Sequence, residues 1–94
     1  MIPPKVMAVD RASGQVRLVA QAPEGRGWTW LDGLGIDRQG LLYVASYWSG
    51  EVWRLTPSGA WCTLARGLTL PSAVTPGASG AGFSPTSVYV TTHG

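Results

Sequence analysis

The sequence predicts an all-β chain of short antiparallel strands, and three observations carry that expectation. Eight segments of strand composition recur along 94 residues, each separated from the next by a turn signal. Thirteen Gly and seven Pro punctuate the chain, and no stretch keeps a 3.6-residue apolar period for long. The pattern also repeats: Val6 and Val52 lie 46 residues apart, as do Leu42-Tyr43-Val44 and Val88-Tyr89-Val90.

The elements follow in order. KVMAVD (5–10) and QVRLVA (15–20) flank DRASG, whose Asp and Gly suit a hairpin turn. LGID (34–37) and LLYVAS (41–46) flank DRQG, and EVWRLT (51–56) follows after YWSG. AWCTLA (60–65) comes after TPSG, and AVT (73–75) is separated from SVYVTT (87–92) by TPGASGAGFSP. Between the anchors the register drifts, because PEGRGWTWLDG is longer than RGLTLPSA while TPGASGAGFSPTS is longer than DRQG. The two differences cancel. From Pro3 onward the chain reads as two 46-residue repeats, 3–48 and 49–94, within a single domain 1–94.

Length and composition exclude several classes. A chain of 9.9 kDa buries a modest core unless it is stapled or gains area by association. The single Cys62 allows no intrachain disulfide and reads as a buried strand residue, and no Cys/His spacing suits zinc. Charged residues make up 13% and the net charge is +2, so the pI near 9.1 reflects few acids rather than a basic patch. Nucleic acid is not an expected partner. MIPPKVMAVD has no signal-peptide core and no run of about 18 apolar residues occurs, so the expectation is a soluble protein, cytoplasmic by default, with no membrane partner.

Residues 31–59, LDGLGIDRQGLLYVASYWSGEVWRLTPSG, resemble one blade of the NHL-repeat and gluconolactonase/regucalcin-type β-propellers. The resemblance lies in Asp32-Gly33 opening an inner strand, Asp37 and Gly40 in a tight hairpin, LYVA on the second strand and VWRLTPSG on the third. The flanking halves match more weakly, through the 46-residue register. The resemblance implies four-stranded antiparallel blades, with strand A at a central channel and strand D at the rim. On that template 33–38 is A, 41–46 B, 51–56 C and 60–65 D, preceded by C and D (5–10, 15–20) and followed by A and B (73–76, 87–92). The chain becomes a two-blade unit of strand order CD-ABCD-AB.

Such a unit exposes two Val-rich strand edges, and exposed edges invite pairing with another chain. Pairing of strand 87–92 with strand 5–10 of a neighbouring copy completes a blade, and head-to-tail repetition closes a ring when the rotation fits. The resembling families are mostly six-bladed, so the expected partner is the chain itself, in a homotrimer of about 30 kDa. Two or four copies would give four or eight blades. The rival reading is a piece of a longer single-chain propeller.

The same template gathers the D-to-A and B-to-C loops at the channel mouth, making Arg26, Trp28, Trp30, Asp32, Tyr47, Trp48, Ser72 and His93 the candidate ligand-binding residues. In gluconolactonase-like propellers an Asp-Gly at this place supplies a carboxylate to a channel metal, usually calcium or zinc, alongside Glu and Asn. Oxygen ligands suit calcium or magnesium, which makes a divalent metal at Asp32 the only cofactor in view. This sequence contains no Asn, and Ser72, the counterpart of Asp32, is a poor ligand. The competing role for Asp32 is a local hydrogen bond at the approach to strand A. His93 aligns with Tyr47, and no Ser-His-Asp order or paired carboxylate accompanies it, so no catalytic residue is assigned.

Trp53 and Trp61 read as packing between blades, and Tyr43 and Tyr89 as strand residues, whereas Trp28, Trp30 and Trp48 fall in loops of the mouth. Exposed aromatics on a rigid scaffold suit a small polar ligand with an apolar face, such as a sugar. Three functions stay open: a ligand-binding or recognition propeller, which is the leading expectation; a metal-dependent lactonase- or esterase-like hydrolase; and a protein-interaction scaffold.

Overall fold

The computed structural model describes residues 4–22, 30–77 and 83–94. Among them are eight strands and no helix: β1 (Lys5–Val9), β2 (Val16–Gln21), β3 (Leu31–Ile36), β4 (Leu42–Ser46), β5 (Glu51–Leu55), β6 (Trp61–Ala65), β7 (Pro71–Pro76) and β8 (Val88–Thr92). All pairings are antiparallel, and the strands group as β1-β2, β3-β4-β5-β6 and β7-β8. No helix among the described residues is long and apolar enough to cross a membrane.

Turn chemistry sets the hairpins. In the β1-β2 turn Asp10 Oδ1 accepts the backbone N–H groups of Ala12 and Ser13, at 3.0 and 2.8 Å, before Gly14 reverses the chain at φ 76°. The β5-β6 turn does the same with Thr56, whose Oγ1 accepts the Ala60 N–H at 3.0 Å.

The register irregularities recur at matching places. In β1-β2 the partners step from Val6↔Ala20 to Met7↔Leu18, and in β5-β6 from Val52↔Ala65 to Trp53↔Thr63. An extra residue, Val19 or Leu64, is absorbed by the second strand of the pair, β2 or β6, each time. The β3-β4 pairing steps from Leu31↔Ser46 to Leu34↔Val44, and the β7-β8 pairing from Pro71↔Thr92 to Ala73↔Thr91. With these bulges β3 and β7 both begin upstream of their expected starts. β3 starts at Leu31 rather than at residue 33, which puts Asp32-Gly33 inside the strand, and β7 starts at Pro71 rather than 73.

Directly paired residues share a face, so the four-stranded sheet has a Tyr43 face (Tyr43↔Arg54, Ala45↔Val52, Arg54↔Cys62) and a Trp53 face (Val44↔Trp53, Leu42↔Leu55, Leu55↔Trp61). Both are covered at β4 and β5, which explains their nearly continuous apolar runs. On the Tyr43 face, β7-β8 packs over β3 and β4, and Tyr43, Val52 and Val74 form a core joined by Leu68, Val88 and Val90. On the opposite face Val44, Trp53 and Leu55 are each 1% exposed. The Trp53 and Trp61 rings meet edge to face at 5.7 Å, and Trp61 Nε1 donates to the Gln21 carbonyl at 2.9 Å, fastening the β1-β2 hairpin to this face.

β3 and β7 approach more closely than side chains permit. A Cβ on Gly33 would meet the Ala73 Cα and, at 2.5 Å, the Ser72 carbonyl; one on Gly35 would stand 2.5 Å from the Val74 carbonyl. Cys62 departs from expectation: it lies on a strand but is exposed. It shares the Tyr43 face with Arg54, beyond the reach of β7-β8, which covers β3 and β4 instead.

Candidate functional site

The start of β3, the turn after β4, the approach to β7 and the end of β8 meet at one end of the sheets. The Tyr47 N–H donates to the Trp30 carbonyl at 2.8 Å, tying the β4-β5 turn to the residue before β3. The His93 N–H repeats the arrangement, reaching the Thr69 and Leu70 carbonyls at 3.2 and 3.3 Å. Leu70 holds a left-handed φ of 47°, the only non-glycine among the described residues to do so.

Ring packing completes the cluster. Half-buried Tyr47 stands edge to face with Trp48 at 5.0 Å and with His93 at 5.8 Å. Trp30, Trp48 and His93 are exposed. Burying part of a tyrosine between two rings orders all three, and leaves aromatic surface facing solvent at low entropic cost to a ligand.

Asp32 and Ser72 stand on the adjoining strands β3 and β7. Their equivalence follows from the registers, since Leu34↔Val44 and Val74↔Val90 occupy matching steps, and Gly33 abuts Ser72 directly. Ser72 Oγ lies 3.1 Å from Thr91 Oγ1. Asp32 is exposed and makes no hydrogen bond or ion pair among the described residues. No group of three or more His, Cys, Asp or Glu side chains among the described residues could hold a metal ion within one chain. The structure therefore brings Trp30, Tyr47, Trp48 and His93 together and places Asp32 beside Ser72; Arg26 and Trp28 lie outside the described residues.

A second polar cluster, not foreseen as a site, occupies the opposite end. Asp37 Oδ1 accepts the N–H groups of Gln39 and Leu41 at 2.9 and 3.0 Å, and its Oδ2 accepts the Tyr43 hydroxyl at 2.8 Å. Desolvation works to raise the Asp37 pKa, but the Tyr43 hydroxyl and the backbone donors outweigh it and hold the carboxyl below its ordinary value. Tyr43 is pushed up, first by burial and then by the carboxylate it serves. Beside them opens a crevice of about 380 Å³ between the Tyr43 face and the start of β8, lined by Arg54, Leu64 and Val88 among others. Arg54 Nε is buried there without a partner among the described residues. The register Tyr43↔Arg54 was the available sequence signal, since any hairpin at 47–50 sets these two opposite each other.

No protein-family model matches the chain, and no curated protein sequence matches it.

Proposed function

We propose that the chain is a two-blade β-propeller unit that pairs head to tail with copies of itself, three chains closing six blades, and that the ring binds a small polar ligand such as a sugar at a mouth lined by Trp30, Tyr47, Trp48 and His93. The observation that carries the assembly is the correspondence of registers. β8 repeats β4 and β1 repeats β5, so moving the β4-β5 ladder by 46 residues pairs Tyr89 with Ala8, Val90 with Met7 and Thr91 with Val6 of the next copy. A strand offered an edge with the register it already uses elsewhere gains its ladder hydrogen bonds without new geometry.

The ligand reading is supported by the ordered aromatic cluster, repeated in each subunit around the opening. Flat apolar ring faces beside imidazole, indole and hydroxyl hydrogen-bonding groups suit the alternating apolar and hydroxylated surfaces of a saccharide. Light scattering at micromolar concentration should give about 30 kDa, three times the 9.9 kDa chain. A monomeric mass overturns the ring. A saccharide panel should contain members that raise the melting temperature of the wild-type protein and not of Trp48→Ala, because a ligand bound only by the native state stabilises it. No shift across monosaccharides and oligosaccharides overturns the ligand class.

The hydrolase reading keeps one support, the exposed Asp32 carboxylate on β3, which has no partner among the described residues. Metal analysis of protein purified without chelator, with Asp32→Ala as control, tests it. Equal metal content in the two proteins removes it.

A further inference from the structure

Resting on that assembly, we infer that the joint has a second component besides strand pairing: the Met7 side of one copy's β1-β2 hairpin covers the open β5-β6 part of the Tyr43 face, against Arg54, Cys62 and Leu64, in the copy whose β8 it joins. The chain already contains the template for this contact. Its own β1-β2 hairpin is bonded to Trp61 of the Trp53 face through the Gln21 carbonyl and has its Val6 side buried while Met7 is exposed, and its β7-β8 hairpin lies with its Val74 side on the Tyr43 face. Val6 matches Val52 of the Tyr43 face, and Val74 matches Leu34 of the Trp53 face, so at both contacts a face of one kind meets a face of the other.

The surfaces left open are the two remaining halves of that pattern. Met7, Val9, Val16 and Leu18 match Trp53, Leu55, Trp61 and Thr63, and all four are exposed. Their counterpart is the uncovered part of the Tyr43 face on β5 and β6, where Leu64 and Cys62 are exposed and Arg54 Nε lacks an acceptor among the described residues. The same step would set exposed Leu34 and Ile36 of one copy over exposed Tyr89 of another. Most of the large apolar side chains exposed among the described residues thus fall on surfaces that a second copy covers, which is uncommon for scattered surface residues.

Surface area agrees with such an occupant. The accessible surface is 6194 Å², about 1,000 Å² above the roughly 5,200 Å² of a compact monomer of this mass. A stable protein interface covers about 800 Å² on each partner. A β1-β2 hairpin from a second copy matches the open β5-β6 surface in register and brings four exposed apolar side chains to it.

Cys62 is the single cysteine, so its thiol reports the seam without a label. The test is the rate of modification by a small aromatic disulfide, in the full chain at assembled concentration, beside the mass. Wild type should react roughly 100-fold more slowly than in urea, while Leu18→Lys, a change at an exposed position, should shed subunits and react within about tenfold of the unfolded rate. Circular dichroism confirms that the variant keeps its strands. An assembled wild type with a fully reactive Cys62 overturns the seating and leaves the ring standing. A wild type of single-chain mass overturns both.

Discussion

Gly33→Ala probes the contact on which the whole packing of β7 depends. Gly33 has no left-handed φ, so its requirement is space: the added methyl would sit 2.5 Å from the Ser72 carbonyl and still closer to Ala73 Cα. Carbon contacts relax to about 3.5–4.0 Å, so β7 must retreat by roughly 1 Å, and a gap of that size forfeits a quarter to a half of the dispersion well of each atom pair it opens. Behind β7 stands Val74, 2% exposed, in the core with Tyr43 and Val52. A buried valine contributes about 1.5–3 kcal/mol, and the neighbouring Val88 and Val90 contacts loosen with it, giving an expected loss of about 2–3 kcal/mol. For a domain of this size that lowers Tm by roughly 10–15 °C. Thermal unfolding at fixed chain concentration, followed by tryptophan fluorescence, measures it, with the exposed neighbour Asp32→Ala as control, expected within about 0.5 kcal/mol of wild type. If Gly33→Ala also unfolds within that margin, the close approach of β3 and β7 is not what the sequence pays for with glycine.

Trp53→Ala should cost about 3–5 kcal/mol in chemical denaturation, because a fully buried indole leaves a cavity that two flanking sheets hold open. Val90→Pro should lower the mass seen in light scattering, since proline removes a ladder donor from β8 and adds strain; unchanged mass and stability would refute the β8-to-β1 joint. The Asp37 and Asp10 carboxyls both titrate below their ordinary value of 3.8 in the folded chain. Their contribution is present above that value and lost as pH falls through the folded pKa, so stability should decline as the pH drops below about 3.8. Tyr43→Phe removes one of the bonds that lower Asp37 and should make that loss shallower, not flat, because Asp10 keeps its own partners.

The strands were legible because turn residues bound them: DRASG, DRQG, YWSG and TPSG each fall at a reversal of the chain. The bulges were not. Val19 and Leu64 are ordinary strand residues, and nothing local distinguishes one that is skipped by its partner from one that is paired. Cys62 was misjudged for a related reason, since its burial depends on which sheet face a distant hairpin covers. The 46-residue offset set Tyr47 against His93, and the structure adds that each donates its N–H to the residue before a strand, Trp30 before β3 and Leu70 before β7, 40 residues apart in sequence. Asp37 was read as a hairpin residue, but its grip on Tyr43 required the carboxylate to point back along β4, which spacing alone does not specify.

The recurring bulges bear on curvature. Each one twists the edge of its sheet by the same local mechanism, and the same step occurs at Val6/Met7 and Val52/Trp53, and again between Leu31 and Leu34 and between Pro71 and Ala73. The four ladders that each absorb one extra residue therefore share a local twist at that step, whereas the unbroken β4-β5 ladder adds none.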